Sequence, residues 1–149
     1  MSRQKYKEFD FREFTFELVR HQQAIAGKLG INLTDFKALG LLHRRGEMTP
    51  KELAETMGMS AAAMTTVVDR LEKASYVERK RHRADRRSVT VHPVEGSEHK
   101  VEFLYKSLLA ASKTLLPAYR KKDRALISDF LARATEVFRA ATAELLSSK

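Results

Sequence analysis

The stretch TPKELAETMGMSAAAMTTVVDRLEKASYVERKRHRADRRSVTVH, residues 49–92, decides the fold. Thr49-Pro50-Lys51-Glu52 opens a helix. Thr49 caps it, Pro50 sits in the first turn where its missing N–H costs nothing, and Glu52 completes a capping box. Leu53, Ala54 and Met57 form its buried face. Ala54 and Gly58, four residues apart, let two helices cross closely and the chain turn sharply. Ser60 caps a second helix over 60–75, whose Met64, Val67, Val68 and Leu71 share one inward face. Two strands follow, 76–81 and 87–92, with Val89 and Val91 alternating against Ser88, Thr90 and His92.

A short helix, a tight turn, a longer helix and a basic hairpin make the plan of a winged helix-turn-helix that reads double-stranded DNA. The outer face of the second helix carries Ala61, Ala62, Thr65, Thr66, Asp69 and Arg70, where an ordinary exposed helix carries Glu and Lys. Small and hydroxyl side chains near a helix N-terminus allow close approach to base edges. The hairpin carries Arg79, Lys80, Arg81, Arg83, Arg86 and Arg87 against only Glu78 and Asp85. Such crowding of positive charge suits a phosphate backbone. An arginine at the hairpin tip, 82–86, can enter a narrow A·T-rich minor groove, and Asp85 can fix its pose. The candidate DNA-contacting residues are therefore Ser60, Ala61, Ala62, Thr65, Thr66, Arg70, Arg79, Arg81, Arg83, Asp85, Arg86 and Arg87.

Outward from this unit the chain is helical. Phe11, Phe14, Leu18, Ile25 and Leu29 form an apolar stripe that Gly30 terminates. His21 lies on the same stripe and reads as a core or interface histidine rather than a metal ligand. A helix over 34–45 is expected, with Thr34 as its cap, Gly46 just past its end and Phe36, Leu39 and Leu42 facing inward. After Gly96, the residues Val101, Leu104, Leu108, Ala111 and Leu115 make a long seam, and Pro117 breaks it. A charged connection over 119–124 precedes a last helix, about 123–146, with Ile127, Phe130, Ala134, Val137, Phe138, Ala141 and Leu145 in its seam. The reader is too small to cover these seams together with the N-terminal stripe. They are expected to meet a second copy in a symmetric homodimer, the alternative being an intramolecular helical lid.

The fold class is thus mainly α with a small β-wing. One domain, 1–149, holds a DNA-binding lobe at 34–92 and a dimerisation lobe made of 1–30 and 94–149. Composition agrees. The net charge is +9 and the hydrophobic fraction is 43%, which predicts a folded protein with a polyanion partner. There is no cysteine, so disulfides and thiol switches are excluded. No apolar run reaches the roughly 18–20 residues that span a bilayer, and the start of the chain lacks a signal-peptide core, so the expected location is cytoplasmic, without membrane contact. No phosphate loop, His-Glu-x-x-His helix or nucleophile motif argues for an enzyme. Histidines 21, 43, 82, 92 and 99 lack ligand spacing, so neither metal nor cofactor is expected. The competing reading is a winged helix that binds protein, which would not need the basic wing tip.

The run from Leu71-Glu72-Lys73 through Tyr76-Val77-Glu78-Arg79 to Ala84-Asp85-Arg86-Arg87 resembles the MarR family of bacterial transcription regulators. The resemblance extends over nearly the whole chain. It implies a homodimer on a pseudo-palindromic operator, with the helix at 60–75 in the major groove and Arg86 in the minor groove. It also implies a repressor released by a small aromatic or phenolic ligand held between the lobes, for which Phe14, His21 and Arg44 offer a ring face and positive charge. Two departures stand out. The family has Gly where this chain has Ser75, and Leu-Thr before Glu-Lys-Gly where this chain has His92-Pro93-Val94-Glu95-Gly96.

Overall fold

The computed structural model describes residues 11–81 and 89–147, the side chain at 116 excepted. The elements are α1 (Phe11–Lys28), α2 (Leu33–Arg45), α3 (Pro50–Met57), α4 (Ala61–Lys73), β1 (Val77–Arg81), β2 (Val89–Pro93), α5 (Ser97–Leu115) and α6 (Lys121–Ser147). A 3-10 turn, Leu116–Ala118, separates the last two helices and contains Pro117. The chain divides into two compact units, Met1–Val101 and Glu102–Lys149.

In the first unit the core is built from one face each of α2, α3 and α4, closed by the hairpin. Leu39, Leu42, Leu53, Met64, Val68 and Leu71 are fully buried. The spacing of these residues predicts that core, and the caps fix its registers. Thr49 accepts from the Glu52 N–H while the Glu52 carboxylate accepts from the Thr49 N–H at 2.7 Å, the expected capping box. Gly58 closes α3 in the left-handed region at φ 63°, which a side chain disfavours. Ser60 then caps α4 by accepting from the Ala63 N–H.

Three expectations need correction. The cap of α2 is Asn32, not Thr34: the Asn32 side chain accepts from the Asp35 N–H at 2.9 Å. Asn is the stronger cap of the two, and the earlier start makes Asp35 the third helical residue, whose N–H meets the cap. The strands pair antiparallel from Val77↔Pro93 to Arg81↔Val89, so β1 starts one residue later and β2 runs to Pro93. Pro93 is tolerated at the last position of a two-stranded hairpin, where no further ladder bond is needed. Alternation in β2 also fails: Val89 is exposed, whereas Thr90 and Val91 are both buried. Met48 forms a bridge to Val91 (Val91 N–H to Met48 O, 2.8 Å), and the Thr90 hydroxyl lies 2.8 Å from His92 Nε2. Both faces of β2 are therefore covered at its middle.

Ser75 occupies the left-handed region at φ 59°, the position where the family carries glycine. The turn forms regardless, because the Ser75 N–H donates to Glu72 O and the Tyr76 N–H to Leu71 O. The strain remains, so Ser75→Gly is expected to stabilise the protein by about 0.5–1 kcal/mol. A thermal melt should show a rise of roughly 1–4 °C.

The second departure is compensated at the start of α5. Ser97 is buried and its hydroxyl is 2.9 Å from His43 Nε2. The Glu98 carboxyl is held below its ordinary pKa, first by the N–H of its own residue, against an opposing desolvation, and further by the N–H of Gly96. A carboxylate thus serves the orphan N–H groups that a threonine cap would serve elsewhere.

In the second unit α6 begins at Lys121, slightly ahead of the expected 123. Arg120 donates to the Asp123 carboxylate at 2.7 Å, and Arg124 reaches back to the carbonyls of Pro117 and Tyr119. These bonds convert most of the charged connection into the first turn of the helix. No residue of α6 is buried within the chain.

Candidate nucleic-acid interface

α3 and α4 pack against each other across the Gly58 turn. Because Met64, Val67, Val68 and Leu71 are taken inward, Ala61, Ala62, Thr65, Thr66 and Asp69 are left exposed, and Ser60 stands exposed at the cap. Both threonine hydroxyls donate to their own helix, Thr65 to Ala61 O at 3.0 Å and Thr66 to Ala62 O at 3.2 Å.

The two arginines nearest this face are engaged. Arg70 donates through Nε (2.8 Å) and Nη2 (2.6 Å) to both oxygens of Asp35, a two-pronged pair across α2 and α4. The Asp35 side chain is 2% exposed and that of Arg70 44%. Hydrogen bonding to Asp35 raises the Arg70 pKa above its already high value, ahead of the opposing effect of desolvation. Arg79, on β1, is paired with two carboxylates of α4: Asp69 at 2.5 Å, and Glu72. Desolvation lowers the Arg79 pKa, but the hydrogen bonds to Asp69 and Glu72 outweigh it and raise the pKa net. The Arg79 N–H also donates to Glu72, so side chain and backbone together tie the base of the hairpin to α4.

Arg81 is exposed at the outer end of β1, and Lys80 is exposed and paired with Glu78 at 2.5 Å. Arg83, Asp85, Arg86 and Arg87 lie outside the described residues. Phe14 and His21 lie on α1 and Arg44 near the end of α2, helices that pack on each other; Phe14 and Arg44 are exposed and His21 is half-buried. Among the described residues no cluster of three His, Cys, Asp or Glu could hold a metal ion.

Asp35 was not among the expected site residues. Read with Thr34 as cap, it looks like an ordinary first-turn acid favoured by the helix dipole. Its neighbours Phe36 and Leu39 gave a signal that it sits on a buried face, where a carboxylate needs a partner.

A model of the MarR family matches residues 31–89. The HTH-type transcriptional regulator YcgE of Bacillus subtilis (strain 168), itself uncharacterized, is 35% identical over 127 residues, 85% of this chain and 82% of YcgE. The chain belongs to the MarR family. Like the other members, it is a transcription regulator. Its fold is shared with a MarR family protein of Bacillus stearothermophilus at TM-score 0.71 and 21% identity, covering 86% of this chain and 89% of that one. FabT of Streptococcus pneumoniae, whose structure was solved in complex with DNA, matches at TM-score 0.68 and 16% identity, covering 87% and 96%. The MarR fold thus places α4 as the second helix of the helix-turn-helix and the β1–β2 hairpin as the wing.

Proposed function

We propose that the protein is a homodimeric, sequence-specific reader of double-stranded DNA that represses transcription in the cytoplasm. The observation that carries this reading is α4 itself: a capped helix anchored by its inner face, with exposed small side chains outward and a basic hairpin tied to its far end. α4 lies in the major groove of a pseudo-palindromic operator, and the wing approaches the flanking minor groove. Residues 34–92 form the DNA-binding lobe, and 1–30 with 94–149 form the dimerisation lobe. Support for the dimer comes from apolar residues that one chain leaves open, among them Leu126 (70% exposed), Val137 (67%) and Leu145 (76%).

A small aromatic or phenolic acid acts as the releasing ligand, with Phe14, His21 and Arg44 as its contacts. To move the dimer from mostly DNA-competent to mostly incompetent, such a ligand needs on the order of 5 kcal/mol of differential affinity between the two arrangements.

Salt dependence separates this reading from a protein-binding winged helix. Operator affinity should fall steeply and log-linearly with salt, because each neutralised phosphate releases counterions. Lys80→Ala is expected to weaken all sequences alike and to reduce the salt slope by about one. Arg86→Ala should weaken operator binding by about 1–3 kcal/mol and relax the preference for A·T pairs beside the major-groove contacts. Titrations at several salt concentrations with operator and scrambled duplexes measure both. A flat salt response would point to a protein partner.

A further inference from the structure

A MarR-type reader can recognise bases through long polar side chains or through apolar contact with the thymine 5-methyl group, and the two demand different helix surfaces. Arginine or lysine reads the N7 and O6 of guanine; asparagine or glutamine reads adenine. Between Ser60 and Val68 the sequence of α4 and its cap contains none of these four residue types. The first long basic side chain is Arg70, and it is committed to Asp35, a carboxylate only 2% exposed. Turning Arg70 to a base would strand a buried charge, a larger loss than a single base contact returns. The next basic residue, Lys73, is exposed at the far end of α4 from the cap, and the next arginine, Arg79, carries Asp69 and Glu72. Asp69 is the one acid on the outer face, and its pairing with Arg79 reduces its repulsion of nearby phosphates.

The two threonine protons are engaged as well, while each oxygen keeps acceptor capacity and Ser60, at the cap, keeps its own proton. Thr65 and Thr66 donate their protons to Ala61 O and Ala62 O, and Ser60 Oγ accepts from the Ala63 N–H. A threonine whose Oγ1 turns back to the i−4 carbonyl directs its γ-methyl away from that carbonyl. What α4 offers outward over its first two turns is therefore mainly hydrocarbon, supplied by Ala61, Ala62, Thr65 and Thr66, all exposed.

We infer that α4 selects its operator through thymine 5-methyl groups, with Thr66 and Ala62 at the centre of the contact, and that Asp35, Asp69 and Glu72 keep Arg70 and Arg79 from reading guanine there. This rests on the DNA-reading role proposed above and specifies its chemistry. Asp35 acts here as a positioning residue, holding α4 on α2 while occupying the nearest guanine-reading group.

The test uses the full-length protein and a duplex enriched from a random pool. Each thymine of the half-site is replaced by uracil, which removes the 5-methyl and preserves every hydrogen-bonding group. Affinity should fall about 4-fold for each contacted methyl, the factor that burial of one methyl group corresponds to. Thr66→Ser, which keeps the hydroxyl and removes the methyl at an exposed position, should weaken the thymine duplex by a similar factor. On the duplex with uracil at the contacted position the same variant should have little further effect.

Equal affinity for uracil and thymine duplexes overturns the inference, as does a Thr66→Ser variant that binds the thymine duplex unchanged. Loss of binding on replacing half-site guanines by 7-deazaguanine, with uracil tolerated, overturns it in favour of polar readout. In those cases the DNA-reading role stands, since a specific duplex is still bound. A pool that yields no enriched duplex overturns both.

Discussion

Deleting residues 121–149 is expected to convert a dimer into a monomer and to lower operator affinity by about 10²–10⁴-fold. The expectation follows from α6, a helix of 27 residues with none buried within the chain. Its apolar positions include Leu126, Phe130, Leu131, Val137 and Phe138, each exposed. An exposed apolar surface of this extent on a helix is covered in a stable protein, and a two-fold partner covers it symmetrically. Each reader alone would make half of the contacts. The dimer gains by making the second binding event intramolecular, and that gain disappears with the deletion. Sedimentation in dilute solution should show the full chain as a dimer and the truncated chain as a monomer. Titration should show residual, strongly salt-dependent binding to any duplex. A full-length monomer, or a truncated chain with unchanged operator affinity, contradicts the expectation.

Removing Arg70 should give the largest loss of stability from a single exposed side chain. Arg70→Met leaves the buried Asp35 carboxylate without its two hydrogen bonds, at 2.6 and 2.8 Å. Removal of one partner from a fully buried pair costs about 3–5 kcal/mol. The partial exposure of Arg70 lowers the expected figure to about 2–3 kcal/mol, a fall in Tm of roughly 5–10 °C. The double variant Asp35→Leu with Arg70→Met removes both charges and should regain most of the loss, since an apolar replacement of a buried pair is often neutral. Thermal melts of the two single variants and the double variant form the cycle. Additive losses would mean that the pair does not hold α4 to α2.

Much of this architecture is legible in the residues because its signals are local. The capping box at Thr49 and Glu52, the left-handed Gly58, the Ser60 cap and the apolar period through Met64, Val67, Val68 and Leu71 each depend on neighbours within about four positions. Family resemblance placed the wing and the dimerisation helices on the same plan. What sequence could not show is settled by partners distant in the chain. Met48 adds a bridge to Val91 of β2, 43 positions away in sequence, and Thr90 beside it is buried with its hydroxyl on His92. Arg70 reads as a free DNA contact until Asp35, 35 residues earlier, is found beneath it. Arg79 reads as a phosphate clamp until the hairpin folds it onto Asp69 and Glu72. For basic residues, spacing reveals where charge is concentrated and is silent on which charge is already neutralised.

The same distinction bears on how the reader attains specificity. With Arg70 and Arg79 held by acids of the same fold, the exposed basic residues within the described part of the hairpin are Arg81 and Lys80, the latter in a solvent-exposed pair with Glu78. These sit on the hairpin, away from the small-residue face of α4, so the proposed reading assigns general phosphate attraction and base selection to different elements. That separation explains why substitutions on β1 are expected to change the salt slope and substitutions on α4 the preferred sequence.

Selection of bound duplexes from a random-sequence pool by the full-length protein tests the central claim most directly. A pseudo-palindrome should be enriched whose half-sites lie about 10 bp apart centre to centre, one helical turn, matching two α4 helices related by a two-fold axis. A pool that shows no enrichment, or a single unrepeated site, would contradict it.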